Sequence, residues 1–198
     1  MGLNFELRFM HYKLILASGS PRRRELLSGL NMEFETRLLP DIDESYPEGL
    51  SGEEIAKTIA RRKAEAYRAT MAYDELIITA DTIVYIDNRV LGKPKDAAEA
   101  ISMLKTLRGR THQVITGVTL MTQDKEETFA VVTDVTFNEI TDNEIEYYVS
   151  EYEPFDKAGA YGIQEWIGLV AVERIEGSYF NVMGLPIARL YQTLKYFL

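Results

Sequence analysis

A short apolar run, Leu14-Ile15-Leu16, leads through Ala17-Ser18-Gly19 into Ser20-Pro21-Arg22-Arg23-Arg24. No other feature restricts the possible folds of this chain as much. Consecutive apolar residues read as a buried strand, Ser20 suits an N-cap, and Pro21 suits the first helical position. A buried strand must therefore feed a helix through a very short loop, as happens in α/β proteins. The charge is out of place. Three arginines sit where the helix macrodipole already carries partial positive charge, and each costs roughly 0.3–1 kcal/mol unless screened. A chain of formal net charge −9 has no other reason to crowd them there. An anion held by the free backbone N–H groups and the guanidinium forks would remove the conflict. A solvated basic turn is the plainer alternative, and phosphate binding explains the charge better.

Composition narrows the rest. At 198 residues, 46 % hydrophobic and 27 % charged, the chain can build one substantial core, or one core in two lobes. No apolar run approaches the ~20 residues of a membrane span. Met1–Tyr12 lacks the apolar centre of a secretory signal and reads as an N-terminal extension (1–12) before a single domain (13–198). With no cysteine, disulfides, thiol catalysis and Cys-based zinc sites are excluded, and a cytoplasmic location fits. The negative charge argues against nucleic-acid binding. An anion site must be a local basic pocket on an acidic body.

The patterning predicts mixed α/β structure. Ser51 with Glu54 opens a helix to about Arg68, with Ala56, Ile59, Ala60, Ala66 and Tyr67 inward. Leu76–Ile86 reads as a strand returning through Asp87-Asn88 into Val90-Leu91. Asp96 with Glu99 caps a helix whose apolar positions Ala97, Ala100, Ile101, Leu104 and Leu107 share one face. Thr111–Met121 and Thr128–Phe137 read as paired strands, Thr141 with Glu144 as a helix start, Leu169–Ile175 as a strand, and Pro186 as the entry to a last helix. No G-x-x-x-x-G-K-[ST] and no G-x-G-x-x-G after a strand is present, which counts against P-loop and dinucleotide folds.

Asp81 interrupts a run that otherwise reads as a buried strand. A carboxylate there needs a cation, a metal or several donors beside it, unless it merely ends a strand. Lys63 falls within the inward stripe of its helix, so its ammonium either snorkels out or enters a polar cavity. Lys93, in Leu91-Gly92-Lys93-Pro94, is alone an ordinary loop lysine, but beside Asp81 across a short hairpin it could reach a phosphate. For Lys63 and Arg23 the expected partners are phosphate oxygens, not protein carboxylates. Asp41-Ile42-Asp43-Glu44 is either a solvated acidic loop or the source of Glu44 as a partner of Asp81 around Mg²⁺. Asp156–Gln164 is rich in small residues and suggests a close backbone approach, such as to a planar ring.

Five segments in this order resemble the Maf-like nucleoside triphosphate pyrophosphatases: Leu16–Arg23, Ala80–Val84, Gly92–Pro94, Asp156–Gln164 and Val182–Pro186. The resemblance implies an elongated mixed β-sheet in two lobes with flanking helices and a central cleft, a fold shared in outline with inosine triphosphate pyrophosphatases. It implies hydrolysis between the α- and β-phosphates with Mg²⁺ or Mn²⁺, nucleotide house-cleaning, and a homodimer. Asp81 is then the general base or a metal ligand that generates hydroxide, Glu44 its metal partner, and Ser18, Arg23, Lys63 and Lys93 the phosphate-binding set. Members resembling 7-methyl-GTP pyrophosphatases carry Trp, Gln and Glu where this chain has Arg22, Thr82 and Gln164. The Arg/Thr/Gln set is similar to the branch acting on dTTP and UTP. Trp166 departs from the small residue expected there and is placed near the pocket edge. The rival reading is a non-catalytic nucleotide-binding regulator of septum formation or cell division.

Overall fold

The structure is a computed structural model that describes residues 12–197. Apart from Tyr12, the expected N-terminal extension lies outside the described residues, as does Leu198. In chain order the elements are β1 (Lys13–Leu16), α1 (Pro21–Ser28), β2 (Phe34–Thr36), α2 (Gly52–Glu65), β3 (Glu75–Ile86), β4 (Arg89–Leu91) and α3 (Ala97–Leu107). They continue with β5 (Thr111–Met121), β6 (Glu126–Phe137), α4 (Asp142–Tyr152), α5 (Trp166–Val170), β7 (Val172–Glu176), α6 (Tyr179–Met183) and α7 (Ile187–Leu194). Tight 3-10 turns at Pro154–Asp156 and Ala158–Ala160 join α4 to α5.

Local chemistry sets most of the boundaries. Ser20 caps α1 by accepting from the Arg23 N–H, with Pro21 opening the helix. Ser51 with Glu54, and Thr141 with Glu144, form complete capping boxes, and the Asp96 carboxylate accepts from the Glu99 N–H.

Seven strands make one mixed sheet in the order β2-β1-β3-β5-β6-β7, with β4 also paired to β3. β1 runs parallel to β2 and β3, and the other pairs are antiparallel. On one edge of β3, β1 pairs as far as Ile78, and β4 starts at Val84. β5 holds the opposite edge across both regions. Among the described residues, Thr79–Ile83 therefore lack a strand partner on the β1/β4 side.

Strand alternation sorts the two faces. Ile77, Ile83, Ile115 and Met121 pack beneath α2, against residues such as Ile55, Ile59 and Tyr67. The opposite face carries two separate cores. Leu14, Leu16, Ile78 and Leu120 meet Leu27 and Leu190 of α1 and α7, whereas Val84, Val114 and Phe137 meet Leu104 and Ile145 of α3 and α4. Between them lies the cross-strand pair Thr82–Thr116, polar where the cores on either side are apolar. This is the two-lobed α/β sheet with a cleft at its centre. At Gly117, paired with Asp81, an added Cβ would lie 2.2 Å from the Ala56 carbonyl oxygen. The missing side chain lets α2 rest directly on the sheet beside Asp81.

Two local expectations need correction. Leu169 and Val170 belong to the helical turn α5, and the strand begins only at Val172. Ala66 is exposed and Ala64 takes the inward place on α2, because the helix ends at Glu65. Within the small-residue segment Asp156–Gln164, Gly159 makes its close approach to the protein itself. Gly159 donates to the Gly92 carbonyl, and an added Cβ there would meet Val84 at 2.7 Å.

Candidate active site

The gap along β3 opens into a cleft lined from both sheet faces. Lys63 and Asp81 come from the α2 side, and Thr82, Val84 and Val114 from the other. Ser20, Arg22 and Arg23 of the α1 entry, Lys93, Asp156–Ala158, Tyr161 and Val182–Gly184 complete the wall. Five cationic side chains face two carboxylates, a local balance of +3 on a chain of −9. This is the basic pocket on an acidic body that the arginine cluster predicts.

Asp81 has found its cation. Lys63 Nζ donates to Asp81 Oδ1 at 2.6 Å and lies 3.0 Å from Glu44 Oε1. The side chains of Lys63 and Asp81 are only 14 % and 13 % exposed, so the pair is largely shielded from water, whereas Glu44 is 54 % exposed. The expectation that Lys63 would lack carboxylate partners is therefore corrected: its ammonium enters a polar cavity but meets two of them. No group of three or more potential metal-ligating residues is present among the described residues. The two carboxylates converge on the Lys63 ammonium, and with that ammonium turned aside they would suit a Mg²⁺-type ion, which takes one or two carboxylates and fills its shell with water and substrate phosphate.

Arg23 occupies the sheet gap. Its Nη1 donates to the Ala80 carbonyl at 2.8 Å, replacing the missing strand partner, and to Ser18 Oγ at 3.3 Å. Nε donates to the Gly184 carbonyl at 2.8 Å and Nη2 to Thr82 Oγ1 at 3.1 Å. Burial pulls its pKa below the usual arginine value, opposed by Asp81 and Glu44. None of the four acceptors is charged, and among the described residues Arg23 makes no salt bridge. A half-buried cation without a contacting anion favours an anionic ligand. Ser18 is buried beneath Arg23 and does not line the cleft. Gly184, at φ +114°, turns its carbonyl onto Arg23 in a conformation that favours glycine.

The remaining expected residues divide. Arg22 lines the cleft and pairs with Asp156 at 3.2 Å, joining α1 to the turn after α4. Lys93 lines the cleft with an exposed side chain. Gln164 is exposed and lies outside the cleft lining, so the structure does not bring it together with Arg22 and Thr82. Trp166 packs edge-on against Tyr147 at 5.1 Å, also outside the lining. Sequence reasoning missed Lys157, which is buried and bound to Asp156 and Glu165 at 2.7 and 3.1 Å. It also missed Tyr161, whose hydroxyl meets His112 Nε2 at 2.8 Å. A lysine set among small residues was the available signal for Lys157; Tyr161 gave none.

A family model described as Maf-like protein matches residues 13–197. The chain belongs to the Maf-like family. This Maf-like chain is 58 % identical over 186 residues to a protein of Parabacteroides distasonis named dTTP/UTP pyrophosphatase, covering 94 % of this chain and 96 % of that one. A protein of the same name from Phocaeicola vulgatus is 60 % identical over 184 residues, covering 93 % and 95 %. Among solved structures, a HAM1 protein from Coxiella burnetii aligns with TM-score 0.50 at 18 % identity over 93 % of this chain and 99 % of that one. The Ham1 protein of Staphylococcus aureus gives the same TM-score at 16 % identity over 93 % and 98 %. These two likenesses extend the Maf-like fold to the HAM1 proteins.

Proposed function

We propose that this chain hydrolyses dTTP and UTP between the α- and β-phosphates, giving the monophosphate and pyrophosphate and clearing nucleotides from the cell's pool. The observation that carries the reading is Asp81, a shielded carboxylate set among the cations of the cleft. The names of relatives at 54–60 % identity support the substrate class. Lys63, Lys93, Arg22 and Arg23 neutralise the triphosphate, with Ser18 supporting Arg23 from below. Charge neutralisation of this kind is a major source of phosphoryl-transfer catalysis. A water attacks the α-phosphorus, the bridging P–O bond to the β-phosphate breaks, and pyrophosphate leaves. Asp81 either takes the water's proton as general base or serves as a metal ligand. Mg²⁺ or Mn²⁺, held by Asp81 and Glu44, would supply charge stabilisation and a more acidic water. We also assign a cytoplasmic homodimer, in keeping with the family resemblance. Among the described residues no helix is long and apolar enough to cross a membrane.

Pyrophosphate release from dTTP, UTP, CTP and 7-methyl-GTP with Mg²⁺ tests the reading. The 5-methyl group separating thymine from uracil is worth about 1–3 kcal/mol in an apolar pocket, so dTTP and UTP are expected within about two orders of magnitude in kcat/KM. 7-methyl-GTP is expected to be much poorer. Asp81→Asn is expected to lower kcat more than about tenfold, one step of ~1.4 kcal/mol, in a protein that stays folded. Preference for 7-methyl-GTP, or no cleavage of any nucleotide, overturns the substrate assignment. Retention of more than a tenth of kcat in Asp81→Asn removes Asp81 from the chemistry.

A further inference from the structure

Satisfying every contact behind Arg23 at once leaves the hydroxyls one direction. Thr82 Oγ1 accepts from Arg23 Nη2 at 3.1 Å and lies 2.9 Å from Thr116 Oγ1. Thr116 Oγ1 donates to the Asn181 carbonyl at 3.0 Å. A hydroxyl has one proton. Thr116 spends its proton on Asn181, so toward Thr82 it acts as acceptor, and Thr82 must donate to it. The order is therefore Arg23 to Thr82 to Thr116 to the Asn181 carbonyl, leaving Thr82 Oγ1 with its lone pairs for Arg23.

The end of this chain is firmly held. Thr116 and Asn181 are fully buried. The Asn181 side-chain amide donates to the Val114 carbonyl and to Thr133 Oγ1, both at 3.0 Å, tying α6 to β5 and β6. The residues after Asn181 form the cleft wall and end at Gly184, whose carbonyl holds the Nε side of the same guanidinium. Two sides of the Arg23 fork are thus referred to one anchored element. Thr82 sits at a position that separates branches of the family resemblance, yet its one proton goes to Thr116 and one of its lone pairs to Arg23.

We propose that Thr116, through Thr82 and together with Asn181, is a positioning residue that fixes Arg23 against the triphosphate, and that the Thr82 hydroxyl acts through Arg23 and makes no contact with the base. The proposal goes beyond the assignment of the cleft as a nucleotide site and rests on it for the ligand. It predicts coupling: removal of either hydroxyl should matter only while the Arg23 fork is present to be aimed.

The test uses Thr82→Val, Thr116→Val, Thr116→Ser and Arg23→Lys, with the two Val variants each also combined with Arg23→Lys. Turnover of dTTP and UTP is measured alongside calorimetric binding of inorganic tripolyphosphate, which has no base. Each Val variant is expected to lose at least tenfold in kcat and at least threefold in tripolyphosphate affinity, with the dTTP/UTP ratio unchanged. Thr116→Ser is expected within about threefold of wild type, and neither Val substitution adds to the loss already caused by Arg23→Lys. If Thr116→Val does not fold, Thr82→Val alone and its combination with Arg23→Lys decide the matter. Full additivity with Arg23→Lys overturns the proposal, as does a changed dTTP/UTP ratio with tripolyphosphate affinity intact. If the wild type cleaves no nucleotide, the catalytic reading falls while the tripolyphosphate measurements still decide the positioning role.

Discussion

Asp81 and Lys63 illustrate how a single residue type acquires chemistry from its surroundings. Each would be an ordinary charged residue on a surface; at 2.6 Å and shielded from water they form a pair that neither can leave cheaply. His112 shows the opposite outcome. It is buried against Phe137 and Tyr161, and burial pushes its pKa down to about 4. Its folded value lies below the ordinary 6.5, so between these values the unfolded chain binds more protons and stability falls as pH falls. The contribution is fully present above about pH 6.5, and about 3 kcal/mol is lost by the time the pH passes through about 4. Urea unfolding measured at pH 7 and pH 4.5 checks this. A His112→Gln variant should show a visibly flatter dependence over that range, and an equal slope in both proteins would remove His112 as the source.

At the scale of elements, the contact of α2 with β5 decides whether the site assembles. The helix carries Lys63 and the sheet carries Asp81, and Gly117 sets how closely they approach. A Cβ there would meet the backbone of Ala56 and Lys57 at 2.2–2.7 Å, and backbone cannot turn aside as a side chain can. Gly117→Ala is therefore expected to push α2 outward, costing about 1–3 kcal/mol of stability and lengthening the Lys63–Asp81 pair. Thermal melting and kcat measured together test both effects. Unchanged activity in a destabilised but folded variant would show that the pair tolerates the shift. Capped helices of this kind were legible in sequence because each start is a local hydrogen-bonding motif. The short elements were not: β2 offers three residues without alternation, and α6 is five residues between Ser178 and Gly184. The strand expected at Leu169 starts late, beside a close backbone contact of Gly168 with the residue five positions earlier. Gly168 packs so closely that a Cβ would lie 1.8 Å from the Ile163 carbonyl oxygen, and the turn of α5 forms around that contact.

For the whole molecule, the contrast between an acidic body and a basic cleft should govern binding. The surplus of three positive charges lines the cleft, while the rest of the chain carries the excess of carboxylates. Salt screens exposed charges over about 10 Å at 0.1 M and about 3 Å at 1 M. KM for a triphosphate is accordingly expected to rise several-fold between low and high ionic strength, with a smaller change in kcat, since the Lys63–Asp81 pair is shielded. Steady-state kinetics across a salt series measure this, and a salt-independent KM would mean that the cleft cations are already neutralised by the protein.

The longer elements and the inventory of charge were legible along the chain. Caps at Ser20, Ser51, Asp96 and Thr141, the apolar runs of β1, β3 and β5, and the arginines after Pro21 are all interactions within a few residues. The five ordered motifs carried the family as well. Tertiary structure decided who meets whom. It paired Lys63 with carboxylates, lodged Arg23 in the sheet gap, drew Lys157 and Tyr161 to the cleft and left Gln164 outside it. Those outcomes depend on strand order, on the interval between β1 and β4 along β3, and on how closely α2 approaches Gly117. Each joins residues far apart in the chain, where no local pattern of residue types can record the partner.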